Sequence, residues 1–276
     1  MLMDNYCLNL IVVQIERGMD TEDGAGVALK RVIGQPKLRR LDPFLMLDEF
    51  KSDKADDYIN GFDWHPHRGF QTITYMIEGL MEHKDNKGNQ GLLTPGSVQW
   101  MTAGSGLIHS EMPKQVEGLM HGYQFWLNLP IKDKMIPPSY QDIAPENIPE
   151  VKNDDLKVRV IAGKYQDVEG VIKGVVTRPL FLDVQLKPNV KFSELIPAGH
   201  TAFAFVFEEV KESHVGVFEV DSSKDRIEAV ATEKGARFLL LAAQPLNEPV
   251  HQYGPMVLGS EKDLRQAFID YQMGRF

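Results

Sequence analysis

Cysteine is almost absent: the 276-residue chain holds one, Cys7. A single thiol closes no disulfide within the chain and builds no cysteine zinc site. A reducing compartment follows, the cytoplasm, with the nucleus also open to a eukaryotic chain. Positive charge is in short supply as well. Thirty Lys and Arg face 39 Asp and Glu, a net charge of −9. Direct nucleic-acid binding, which needs clustered cations to displace counterions from phosphate, is therefore not expected. Action on transcription through a protein partner is not excluded by charge. Long hydrophobic runs are missing too. The most apolar early stretch, Leu8–Ile15, is eight residues long and precedes no small-residue cleavage site. That is too short for a membrane span and wrong for a signal peptide, and a strand accounts for it.

What the chain does contain is many short segments rich in Val, Ile, Phe, Tyr and Thr, bounded by Gly, Pro, Asn or Asp. Examples are "FQTITYMIEG", "GSVQWMTAG", "HGYQFWLNL", "RPLFLDVQL" and "ARFLLLAA". Turn chemistry separates them at "NKGNQG" and "TPGS". This pattern predicts an all-β protein, a sandwich or barrel. One segment departs from it. "SEKDLRQAFIDYQMGRF" opens on Ser260 and Glu261 and places Leu264, Phe268 and Tyr271 on one face, which predicts a capped amphipathic helix over about 260–273. Leu129–Glu150 carries five prolines and reads as a linker. The expected division is a first barrel over 1–138 and a second over 139–276, ending in the helix.

The chemistry concentrates in "FDWHPHRGFQTIT". In a strand, residues i and i+2 share a face about 6.6 Å apart, so His65 and His67 point the same way and Pro66 points away. Proline suits a strand start or an edge. Further on, "WMTAGSGLIHSEMP" repeats the spacing with His109 and Glu111. If the two strands are neighbours, three imidazoles and a carboxylate face one cavity, a set suited to Fe, Mn, Ni, Cu or Zn.

"FDWHPHRGFQTITYMIEG", "TPGSVQWMTAGSGLIHSEMP", "HGYQFWLNLP", "RRLDPFLMLDEF" and "PVHQYGPMVLGSEKDLRQAF" together resemble the pirin family of the cupin superfamily. The resemblance implies a bicupin of two antiparallel β-barrels, with one iron in the first barrel and none in the second. It places the iron ligands on His65, His67, His109 and Glu111. It also implies activity of the quercetin 2,3-dioxygenase type, in which O₂ opens the central ring of a flavonol and CO is released. Glu111 would then be both ligand and catalytic base, and the partners would be a flavonol-like molecule and O₂. The alternative from the same resemblance is a non-enzymatic regulator, binding a transcription factor or a metabolic enzyme according to the iron's redox state. Other divalent metals fit the same ligands, and pirins are commonly monomers. The chain departs from the family in Gln71, where many pirins have Glu, and the region Phe207–Ala236 looks short and irregular.

The remaining candidates have plainer readings. His83 lies in the charged stretch "MEHKDNKG" and is expected to be solvated. His121 is expected in the core, and His200, His214 and His251 as structural or exposed. Cys7 reads as a small hydrophobe. Arg39 and Arg40 are expected to pair with Asp48 or Glu49. Gln124, Trp100 and Met101 are candidates for the cavity wall, with ordinary packing as the other reading.

Overall fold

The computed structural model describes residues 12–208, 214–218 and 226–276. Cys7 and the beginning of the Leu8–Ile15 run fall outside them. The Val- and Ile-rich segments form strands, as their composition dictates. The strands up to residue 143 are β1 (Val12–Arg17), β2 (Met19–Asp23), β3 (Val27–Ile33), β4 (Phe44–Ser52), β5 (Phe62–His67) and β6 (Phe70–Glu78). They continue with β7 (Met81–Asp85), β8 (Gln90–Leu93), β9 (Val98–Thr102), β10 (Leu107–Pro113), β11 (Met120–Asn128) and β12 (Ser139–Ile143). The one α-helix among the described residues is α1 (Glu261–Gln272), and the Ser260 side chain caps it by accepting from the Asp263 N–H at 3.1 Å. No helix among the described residues is long and apolar enough to cross a membrane.

The chain forms two cupin-type β-barrels. The first unit joins Met19–Pro145 with Leu246–Phe276. Its seven-stranded sheet runs β12-β9-β6-β11-β4-β3-β2, and a four-stranded sheet runs β5-β10-β7-β8. Side chains of β6 and β11 reach Glu111 on β10, so the two sheets enclose a common interior. The second unit joins Glu146–Pro245 with the segment ending at Gly18. Its main sheet has seven strands, with β1 at one edge beside His214–Phe218. An apolar cluster that includes Val158, Leu182, Val184, Phe192, Phe238 and Leu240 fills it.

These units differ from a linear division at 138 and 139, and specific contacts account for the difference. Ser139–Ile143, within the proline-rich stretch, pairs with β9 and so stays in the first sheet. At the other end, α1 packs through Leu264, Ala267 and Phe268 against Met256 and Leu258. Asp270 of α1 also binds Arg68 of the first barrel at 2.7 Å.

Candidate metal centre

β5 is an edge strand, which is why it accommodates Pro66 without losing a ladder bond. Its antiparallel register with β10 sets His65 directly opposite His109. The ladder shifts between His109 and Glu111, a bulge of the kind that re-aims side chains beside functional sites. The result is a triangle of imidazoles. Ring centroids are 4.7 Å apart for His65–His67, 4.5 Å for His65–His109 and 4.9 Å for His67–His109. One ring nitrogen from each lies within 4.8 Å of the others.

The hydrogen-bonding state of these rings matches that of metal ligands. His65 Nδ1 sits 2.7 Å from the Asp63 carbonyl, so it carries the proton and leaves Nε2 with a free lone pair. His67 and His109 are 1% and 0% exposed, and neither ring has a hydrogen-bond partner at either nitrogen. Leaving such groups buried and unbonded costs about 1–3 kcal/mol each. Burial pushes His109 down to about 4, against the pull of Glu111, and drives His67 well below the usual imidazole range. Both rings are therefore neutral near pH 7, the form that ligates a metal.

Glu111 is buried beside this triangle but outside the tight set of three. Its two oxygens are held separately: Thr74 Oγ1 donates to Oε1 at 3.0 Å and Gln124 Nε2 donates to Oε2 at 2.8 Å. Gln124 Oε1 in turn accepts from Trp126 Nε1 at 3.3 Å. Cross-strand register extends this polarity into a row across six of the seven strands of the sheet. Arg31 opposes Asp48, Asp48 opposes Gln124, Gln124 opposes Thr74, Thr74 opposes Gln99, and Gln99 opposes Asp142.

A cavity of about 440 Å³ opens onto His65 and His67. Leu29, Phe50, Phe62 and Trp126 supply its apolar wall, while Asp48, Gln124, His65 and His67 supply its polar groups. A few convergent polar groups in an apolar recess are what small-molecule sites share.

Outside the cavity, Arg68 fixes the backbone next to His67. It is 4% exposed, donates to the Ser105 carbonyl and to Asp270, each at 2.7 Å, and lies over the Phe276 ring at 4.0 Å. Gly69 follows with φ +87°, and a Cβ there would sit 2.0 Å from the Val257 carbonyl oxygen.

Comparison with known proteins agrees with this geometry. The Pirin family matches residues 26–127, and the Pirin C-terminal cupin domain matches residues 181–276. The chain belongs to the pirin family. It is 45% identical to a Pseudomonas aeruginosa protein named "Putative quercetin 2,3-dioxygenase", covering 95% of this chain and 96% of the relative. It is 38% identical to Homo sapiens pirin, covering 92% and 89%. A crystal structure of quercetin 2,3-dioxygenase from Acinetobacter baumannii superposes with a TM-score of 0.83 at 30% identity, covering 95% of this chain and 96% of that one.

Several plainer readings need correction. His83 is not solvated. It is 1% exposed, points into the barrel with Met81 and Asp85, and stacks on Tyr140 at 5.4 Å. The charges of the hairpin, Glu82 and Lys84, occupy the alternate positions of the strand. Gly91 opposite gives His83 its room, since a Cβ there would lie 2.3 Å from Nε2. Asp48 and Glu49 do not pair with Arg39 or Arg40. Asp48 takes the fork of Arg31, with Nε at 2.9 Å and Nη2 at 2.7 Å, and Glu49 meets His121 at 3.0 Å. His121 is thus the buried core histidine its context suggested. Of the wall candidates, Gln124 lines the cavity, whereas Trp100 and Met101 are buried elsewhere and Trp126 takes the aromatic position.

Proposed function

We propose that this chain is an iron-dependent dioxygenase that opens the central ring of flavonols of the quercetin type, consuming O₂ and releasing CO. The observation that carries the reading is the triangle of imidazoles, in which His67 and His109 have buried, unbonded ring nitrogens, beside an aromatic-walled cavity that reaches His65 and His67. The names of the Pseudomonas relative and of the Acinetobacter structure support it.

His65, His67, His109 and Glu111 would hold the ion. When bound, iron would supply a chelation point for the flavonol's 3-hydroxyl and neighbouring carbonyl, while the ionised flavonol itself supplies the electrons that reduce O₂. The protein's own contribution is positioning and proton handling. Phe50, Phe62 and Trp126 accept the flat rings and exclude water. Glu111 takes the 3-hydroxyl proton as the substrate enters. Thr74 and Gln124 keep its two oxygens aimed while it does so. His65 is fixed in one tautomer by the Asp63 carbonyl.

The test is oxygen uptake and CO release by iron-loaded protein given quercetin, with Glu111→Ala as control. Turnover that disappears in the control supports the assignment. Absence of turnover in protein carrying one iron per chain overturns it and favours a redox-dependent binding role for the same centre.

A further inference from the structure

The Arg31–Asp48 pair is not needed to hold a metal, yet Asp48 lines the same cavity as His65 and His67. It is a carboxylate set among Leu29, Phe50 and Phe62, only 3% exposed. The interior of the second barrel is filled without charge by Val158, Val184 and Phe238, so a sheet of this kind does not need a carboxylate on its inner face. Arg31 holds both Asp48 oxygens from one side and also reaches Asp23 at 2.9 Å on the cavity rim. The fork is planar and bidentate, so each Asp48 oxygen keeps a lone pair for another donor. Asp48 stands one strand beyond Gln124, about 4.8 Å further across the sheet from the Glu111 side of the cavity.

We infer that Asp48 is a specificity-determining acceptor for a second hydroxyl of the substrate, one remote from the chelating pair. This rests on the reading of the site as a flavonol pocket and adds which flavonols it selects. A carboxylate at that place accepts from a neutral phenolic O–H and repels carboxylate or phosphate groups. The pocket therefore selects planar aromatic molecules with a chelating hydroxyl–carbonyl edge and at least one further hydroxyl on an outer ring. Burial raises the Asp48 carboxyl to about 6 in spite of Arg31, so it is ionised and accepting at neutral pH.

The experiment measures binding separately from turnover. Iron-loaded full-length protein is titrated with quercetin and with 3-hydroxyflavone, which keeps the chelating edge and lacks the outer hydroxyls. Quenching of intrinsic tryptophan fluorescence reports the dissociation constants, and metal content is checked in every sample. The expected result is that wild-type protein prefers quercetin by about tenfold, the scale of one hydrogen bond to a charged group. Asp48→Asn should remove most of that preference while leaving 3-hydroxyflavone binding and iron content within about twofold. Equal losses for both ligands in Asp48→Asn, or an unchanged preference, would overturn the assignment. Because the variant disturbs a buried ion pair, a second arm uses wild-type protein alone: O-methylated quercetins should include one outer-ring methyl ether that loses the preference. If none does, the assignment fails whatever the variant's folding. Selective binding without O₂ uptake would sink the dioxygenase reading and leave Asp48 as the selecting group, so the two failures are distinguishable.

Discussion

In the first barrel a cross-strand row of the main sheet reads Arg31, Asp48, Gln124, Thr74, Gln99 and Asp142, with Asp48, Thr74 and Gln99 buried. In the second, a cross-strand row facing the core reads Val158, Val184, Phe238 and Val206. The strand architecture is alike and the chemistry inside is opposite. The second interior is a dry core in which Phe192 stacks on Tyr165 at 5.8 Å and meets Phe238 edge-on at 5.5 Å. Such packing is what stabilises a domain. The first interior spends buried volume on imidazoles and carboxylates, which is costly unless every group is bonded. Among the described residues, three of its buried histidines, His67, His83 and His109, have no hydrogen bond at either ring nitrogen, and breaks of that kind cluster at functional sites. One barrel is built to be stable, the other to bind.

The comparison can be broken most sharply at the histidines. His109→Ala, His65→Ala and Glu111→Ala should each strip most of the bound metal, read as metal per chain after dialysis. Metal addition should then no longer raise the melting temperature of those variants, because a ligand stabilises only the state it binds. Retention of metal after loss of any two of the four ligands would show the site to be misassigned.

The reverse substitution sharpens the contrast from the other side. Phe238→Ala in the second barrel should cost about 3–5 kcal/mol in urea unfolding, from lost burial and the cavity left behind. Metal content of folded protein should be unaffected. A parallel loss of metal would mean that the barrels are not specialised in this way.

A third expectation concerns acid. His109 titrates at about 4 in the folded protein against an ordinary 6.5. Its neutral burial therefore contributes stability that is complete above pH 6.5 and declines as pH falls toward about 4, where the unfolded chain binds the extra proton. In metal-free protein, His109→Gln should flatten the fall of the urea midpoint across that window. Superimposable pH profiles would contradict it.

The smallest effect is expected at His83. It faces Glu111 across β7 and β10 and is as buried as His67 and His109, but it lies 3.2 Å from Asp142 and stacks on Tyr140. His83→Ala should lower the melting temperature modestly and leave metal content unchanged. Loss of metal would enlarge the site beyond the four proposed ligands.

The three clustered histidines were legible in the sequence because their signal is local. An i, i+2 pair needs only a strand to converge, and both pairs lie in strands. The helix was legible for the same reason, from its Ser260 cap and apolar spacing. What pairs across long separations was hidden. Arg31 is 17 residues from Asp48 and is chosen by register, so the nearer-looking Arg39 and Arg40 drew attention instead. His83 was concealed by the charges on either side of it, which belong to the opposite face of the same strand. The place of α1 was hidden too, because the ion pair that ties it down joins Arg68 to Asp270, 202 positions apart.

The polar row has an evolutionary consequence as well. Adjacent members are cross-strand neighbours, so substitutions at Asp48 and Gln124, or at Gln124 and Thr74, should couple by about 0.5–3 kcal/mol, whereas changes at Arg31 and Asp142, at opposite ends, should add. A lineage altering the pocket would then meet epistasis graded by strand separation. Changes at the two ends would be open to independent drift, while those in the middle would be accepted only in certain orders.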